Sequence, residues 1–355
     1  MRLLAISLVA LASLLAPAGQ TAWASEPVRV LWLLRSSAGA EETAIALQNE
    51  AGVPVDISFA DVRAGSPEDI IIAAKRAIAF DEADLIFGLS LFDIEVLGGN
   101  QMLRQIPLKS LGTERSRSLF VTESLRGVAR GSERDAESAL ALPLSLSAPM
   151  LCFDRDRTGF LGDFRPGIVE LAYGKISQRL AFPDPRYDSA GRSALVSIFS
   201  ASGGVNEGWY LFEELDRSIK QYSPNAYRAC LDVVDGQAEV GFSSLVVADL
   251  LEGKAPRLGF QILDQAALVP VSFAAALDNG RPELSDTATE VLRWLLGVGL
   301  DRQLDALQRQ LESRGMRYDV WQMAKPQGAM EYLPGEQLVN EWSARYDYKS
   351  GRSLR

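Results

Sequence analysis

Apolar positions come in short unbroken runs separated by polar loops, and the first run is PVRVLWLL (27–34). A run of this length reads as a strand buried on both faces. RSSAGAEE follows as a loop and helix start, and TAIALQNEAG continues the helix to a glycine. PVDISFADV (54–62) reads as a second strand. In GSPEDIIIAAKRAIAF, Ser66 is placed to cap a helix, Pro67 suits its first turn and Asp69 adds a favourable carboxylate. ADLIFGLS (83–90) is a third buried strand, closing on Gly88 and Ser90. This alternation of strand and helix predicts a parallel sheet with helices on its faces.

The pattern then lapses and returns. Residues 111–139 are polar, rich in Arg, Ser and Glu, and read as surface connection. LALPLSLSAPMLCFDRDR (140–157) is apolar and extended but broken by Pro143 and Pro149. It fits either a long crossing between two lobes or an edge strand with bulges. ISQRLAFPDP (176–185) starts a second α/β pattern as a strand and turn. SAGRSALVSIFSASGG is a helix with Ala194, Leu195, Ile198 and Phe199 on one side, and GWYLFEELDRSI is another. QYSPNAYRACLDVVDG places Ser223 as a cap and Pro224 in a first turn, ending at Gly236. AEVGFSSLVV (238–247) is the next strand and loop, and APRLGFQILDQAALVPVSFAAAL (255–277) is strand-rich and long enough for a second crossing. TATEVLRWLLGVGLDRQLDALQRQLESRG is helical, and the tail through MEYLPGEQLVNEWSARYDYKS carries no assignment. Two stretches echo each other: SPEDIIIAAKRAIAF leads into DLIFGLS, and SPNAYRACLDVVDG leads into EVGFSS. The echo suggests two similar lobes, each offering strand ends to a shared cleft, where ligands favour binding.

Composition narrows the function. The first 24 residues carry Arg2, the apolar run LLAISLVALASLLAP and the small-residue pattern AWA before Ser25. That is the layout of a cleaved secretory signal, so the mature chain is expected to start at Ser25 in the periplasm. The formal net charge is −10, which disfavours a nucleic-acid partner. There is no histidine, which removes Ser-His-Asp and Cys-His catalysis, and no carboxylate pair sits in a recognised catalytic motif, so the chain is not expected to be an enzyme. Cys152 and Cys230 could pair in an oxidising compartment or remain buried thiols.

The segment from Ile176 to Ser244 resembles the periplasmic substrate-binding proteins of ABC importers. The specific points are Asp184-Pro185, the Ser-Gly-rich helix start Ser189 to Ser193, Gly203, Trp209, Gln221-Tyr222-Ser223, and the close from Gly236 to Gly241. PEDIIIAAKRAIAFDEADLIFG resembles the first lobe of the same proteins. The resemblance is to the type II group, which includes ferric-ion, phosphonate, sugar-phosphate and polyamine binders. It implies a two-lobed α/β fold, each lobe a mixed sheet flanked by helices, joined by a crossing-strand hinge. The expected division is leader 1–24, first lobe 25–148 with 270–355, and second lobe 149–269, with the last helices free to pack on both. It further implies a monomeric solute carrier that delivers its ligand to an ABC permease; no cofactor or metal is expected. A sensor subunit docking on a membrane receptor fits the same residues.

Ligand chemistry is read from the loop ends. The ferric members carry adjacent tyrosines where this chain has Ser243-Ser244-Leu245, which argues against iron. Ser189 to Ser193 and Ser223 to Ala226 open helices, whose free amides favour an anion. Ser189, Gly191 and Ser193 are expected at the ligand, and Arg192 could clamp an oxyanion. Asp188 reads as a plain cap. Tyr222 and Asn225 join from the next helix start, and Ser243 from the strand after it. By resemblance, Ser36 and Ser37 (beside Arg35) and Ser90 contact ligand from the first lobe. The set predicts a phosphate- or phosphonate-bearing organic anion. A polyamine would instead use carboxylates such as Asp93, Glu95 and Asp188.

Overall fold

The structure, a computed structural model, describes residues 26–34, 40–62, 67–108, 111, 138–157, 167–173, 179–202, 205–263, 269–281, 283–320 and 335–350. The expected leader, the Arg35-Ser36-Ser37 loop, the Ser66 cap and nearly all of the polar connection lie outside the described residues.

In the first lobe, β1 (Val28–Leu34) lies between β2 (Val55–Asp61) and β3 (Leu85–Leu89), all parallel. Helix α1 (Ala40–Glu50) joins β1 to β2, and α2 (Pro67–Ala79) joins β2 to β3. Ile70, Ala74 and Ala77 form the buried stripe that seats α2, as its period demands. Gly88 adopts φ +82°, and a Cβ there would lie 2.5 Å from the Leu33 carbonyl, so only glycine fits the end of β3. Helix α3 (Leu91–Gly99) follows at once. Two short strands, β4 (Leu103–Arg104) and β5 (Ile106–Pro107), come next, and β5 pairs with β6 (Ser138–Ala139).

Chain crossings supply the rest. Strand β7 (Ala141–Ser147) belongs to the first lobe and runs through Ala148 into β8 (Pro149–Asp154) of the second. The prolines that interrupted the sequence pattern sit inside these strands. In the second lobe come α4 (Ile168–Ala172), β9 (Leu180–Pro183), α5 (Ser189–Ser202), α6 (Val205–Ser218), β10 (Ile219–Ser223), α7 (Ala226–Val234), β11 (Val240–Ser244), α8 (Leu245–Leu251) and β12 (Leu258–Ile262). The return strand is β13 (Val269–Leu277), antiparallel to β3 and to β7. The two sheets run β2-β1-β3-β13-β4 and β10-β9-β11-β8-β12. In each, three parallel strands are followed by an antiparallel strand that carries a crossing. The echoing sequence stretches fill equivalent places, α2 with β3 and α7 with β11.

A third crossing is helical. Helix α9 (Asp286–Trp294) continues through a π-helical turn (Leu295–Gly299) into α10 (Leu300–Ser313). Val291, Leu292, Leu295 and Leu296 lie in a core of the first lobe, whereas Leu300, Leu304, Leu307 and Leu311 lie in that of the second. The last helix, α11 (Gly335–Ser350), buries Leu338, Trp342 and Tyr346 in this second core as well.

Several elements differ from the sequence reading, among them α8, which starts at Leu245 within the stretch read as strand and loop, and β6, within the stretch read as surface connection. Ser223 does not cap α7: it ends β10, and its hydroxyl donates to Asp232 Oδ2 at 2.7 Å, while Asn225 is the cap. Strand β10 follows α6 without a breaker residue, which hid it. Helix α3 carried too little periodicity to be read, and the stripe of α11 rests on three positions, Leu338, Trp342 and Tyr346, which the sequence reading passed over. Cys152 and Cys230 form a disulfide between β8 and α7, which settles the alternative left open by the sequence.

Candidate functional site

The carboxyl end of β9 leads through the 184–188 turn into α5, that of β10 through two residues into α7, and that of β11 directly into α8. At the first two of these ends one side chain dominates. Asp188 Oδ1 accepts the amides of Ala190 at 2.8 Å and Gly191 at 3.1 Å, and Oδ2 accepts Ala226 at 3.2 Å. A single carboxylate thus caps α5 and also reaches the start of α7. Burial raises the Asp188 carboxyl above its usual range, opposed by these amides and then by the charge of Arg192. Gly191 is required by packing as well, since a Cβ there would lie 2.4 Å from the Pro183 carbonyl.

The turn before Asp188 is tied within itself. Asp184 accepts from Arg186 through its amide at 2.9 Å, Nε at 3.0 Å and Nη2 at 2.7 Å, a forked ion pair at the end of β9. Arg192 folds back so that Nε donates to the Pro185 carbonyl and Nη2 to the Arg186 carbonyl, both at 2.7 Å. The guanidinium expected to clamp an oxyanion therefore holds the turn.

The remaining expected residues divide. Ser189 and Ser193 stand on the first turns of α5, and their side chains lie outside the described residues, as do Ser36 and Ser37 entirely. Asn225 sits beside Ala226, and its side-chain oxygen accepts from the Arg228 amide at 2.7 Å. Ser90 forms a reciprocal capping box with Asp93 at the start of α3, at 2.7 and 3.3 Å. Tyr222, expected in the cleft, is instead 1% exposed and donates to Asp216 Oδ1 at 2.6 Å inside the second lobe. Burial, then the neighbouring Asp216 charge, pushes its phenol far up. Ser243 is 3% exposed, and its hydroxyl has no partner among the described residues. Gly241, two residues earlier on the same strand face, abuts Ala229 of α7, so Ser243 lies one turn closer to the α7 start.

Two hydroxyls were not anticipated. Ser145 and Ser272, on the crossing strands β7 and β13, meet Oγ to Oγ at 2.5 Å. Strand β13 pairs with β3 through Phe273 and Leu89 and also lies against α5. Ser272 therefore stands next to the Phe273–Leu89 pair that precedes Ser90, on a strand that also packs against α5 of the other lobe. The available signal was a serine inside each apolar crossing run, LPLSLSAP and VPVSF. The tyrosines flanking the Asp188 notch, Tyr187 and Tyr227, are 60% and 39% exposed and offer open aromatic surface. Among the described residues, no group of three or more Cys, Asp or Glu side chains is placed to hold a metal ion.

No protein-family model matches the chain. No curated protein matches it. Solved structures do. A Trichodesmium FutA in complex with iron and citrate matches with TM-score 0.61 at 12% identity, over 91% of this chain and 99% of that one. The periplasmic binding protein AfuA from Actinobacillus pleuropneumoniae, with fructose-6-phosphate bound, matches with TM-score 0.54 at 15% identity, over 90% and 98%. PotD from Streptococcus pneumoniae, a spermidine/putrescine ABC transporter substrate-binding protein, matches with TM-score 0.52 at 13% identity, over 91% and 97%. The chain has the two-lobed fold of these proteins along nearly its whole length.

Proposed function

We propose, from the premise that the chain has the two-lobed periplasmic-binding-protein fold, that it is the exported binding component of an ABC importer. It captures a small solute between its lobes and delivers it to a membrane permease. The observation that carries this reading is that α3 of the first lobe and α5 of the second both pack on the crossing strand β13. Ser90, the first turn of α5 with Ser189 and Ser193, Asn225 and the Ser145–Ser272 pair form the proposed rim. Closure of two such lobes about a hinge would bury a ligand held there. The reading requires no bond to be made or broken.

The ligand we assign first is a small organic anion bearing a phosphate or phosphonate, because helix starts offer amide donors and a positive dipole end. Asp188 favours a second reading. Its carboxylate already accepts from three of those amides, so the α5–α7 notch supplies negative charge of its own. An amine seated there would find that carboxylate with Tyr187 and Tyr227 at its flanks.

Thermal melting of the mature chain with fructose 6-phosphate, a phosphonate, spermidine, a neutral sugar and ferric citrate separates the readings. A ligand at about 100 times its Kd adds about 2.7 kcal/mol of stability. A rise with the phosphate ester or phosphonate alone supports the anion, and a rise with spermidine alone replaces it by the amine. No rise with any solute overturns solute binding. Capture of an ABC permease rather than a receptor by the loaded protein distinguishes delivery from sensing.

A further inference from the structure

The C-terminal helix α11 is the element with the least obvious purpose in the sequence, yet it holds the largest fully buried side chain among the described residues. Leu338, Trp342 and Tyr346 recur every four residues and form one buried stripe. Trp342 is 0% exposed. Its ring meets Tyr222 of β10 edge-on at 4.9 Å and Tyr346 at 6.3 Å. Beyond those core contacts, the Arg186 guanidinium lies 5.7 Å from the Trp342 ring centroid and 5.0 Å from that of Tyr187. A guanidinium at this distance from an indole is held by the ring quadrupole.

Arg186 links that helix to the ligand rim. Its side chain forks onto Asp184, and its carbonyl accepts from Arg192. The Asp184 carbonyl in turn accepts the amides of Tyr187 and Asp188. The amides of Ala190, Gly191 and Ala226 then converge on the Asp188 carboxylate. Helix α11 also packs against α3 of the other lobe, whose cap is Ser90. We propose that Trp342, through Arg186 and Asp184, is a positioning residue that holds the 184–188 turn in the geometry required at the cleft. The proposal rests on the reading of that turn as part of the solute site.

The alternative is that Trp342 is only core filling, and amide hydrogen exchange on the full mature chain decides between them. Trp342→Phe keeps a buried ring but weakens the hold on a cation, and Arg186→Lys keeps the charge but removes the fork. Each is expected to speed exchange at Ala190, Gly191 and Ala226 by about threefold, a factor of the size a cation–π contact supplies. The most protected amides of β9 and β11 should be unchanged. The double variant should add little to either single one, because both act along one path. Arg345→Gln is the control: Arg345 lies on the same helix, over Trp209 at 4.5 Å, and should leave the turn untouched. Exchange at the three amides that stays at the wild-type rate overturns the proposal. So does a speed-up spread evenly through the second lobe, or one matched by Arg345→Gln. The readout needs no ligand. A failure of every solute to bind would therefore end the solute-site reading, while the positional result for Trp342 would stand or fall by itself.

Discussion

At the residue scale, Asp188 competes with any incoming anion for the same donors. Helix capping and anion binding both use free amides at a helix start, and here the protein supplies the acceptor itself. Asp188→Ala should cost about 1–2 kcal/mol, at the upper end for a cap because two helices lose their acceptor. Asp188→Asn should cost less, since one side-chain oxygen can still serve Ala190 and Gly191. The pH dependence has a definite sign. The folded state holds the Asp188 proton to higher pH than the unfolded chain, whose reference value is 3.8. The stability this provides is fully present below the unfolded value and is lost as pH rises through the folded one. The stability of wild type relative to Asp188→Asn, from denaturant melts between about pH 3 and about pH 7, should therefore fall with rising pH. A flat or rising difference would show that the amides outweigh burial. Asp188 as a cap was legible from its place before the Ser-Ala-Gly helix start. Its bond to Ala226 was not, because the two are 38 residues apart and meet only through parallel pairing of β9 and β10. Arg192 shows the other limit: sequence displays its charge, but not that its nearest acceptors are the carbonyls of the turn behind it.

At the element scale, the helical crossing explains an irregularity that is visible in the sequence. Ala288, Val291, Leu292 and Leu295 set an α-helical stripe, and strict continuation past Gly299, which is buried, would turn Arg302 and Ala306 inward as well, although both are exposed. The buried residues are instead Leu300, Leu304, Leu307 and Leu311, each displaced by about one position. One inserted residue in an α-helix makes a π turn and produces that displacement, and the π turn lies at Leu295–Gly299, where the helix leaves one core for the other. The run of helix was legible, but its change of partner required the cores of both lobes. Deletion of Val298, an exposed residue within the turn, should restore α geometry while leaving both stripes on their present faces. The expected result is a cooperatively folded protein with helix content and melting temperature close to wild type by circular dichroism. Deletion of one residue from a regular helix would rotate everything after it by about 100° and expose the second stripe. Loss of cooperative folding in the deletion variant would show that the π turn is no insertion.

At the scale of the whole molecule, the echo of a Ser-Pro helix start with a Gly-hydroxyl strand end identified two similarly built lobes. The matching strand orders bear that out. The path of the last helices was less legible, because neither the turn at Gly299 nor the start at Gly335 marks the lobe on which the next helix packs. Cysteine pairing was open for the same reason: Cys152 and Cys230 are 78 residues apart, and nothing local brings β8 onto α7. Both cysteines lie in the second lobe, fully buried, with β11 running close to the bond at Gly241. The bridge closes a loop containing β9, α5, α6 and β10, which includes the 184–188 turn. Opening a loop of this length, 78 residues, would remove about 4.5 kcal/mol of stabilisation in the chain-entropy picture. Replacing both cysteines by alanine should therefore lower the denaturant midpoint and raise the slope m, because an uncrosslinked unfolded chain exposes more surface. Dithiothreitol should leave the native wild type unchanged and act only once denaturant opens the second lobe, since neither sulfur is accessible in the fold. Rapid reduction of the native protein would contradict that enclosure. An unchanged midpoint in the double variant would mean that packing of α7 on its sheet, without the covalent link, holds the lobe closed around the turn.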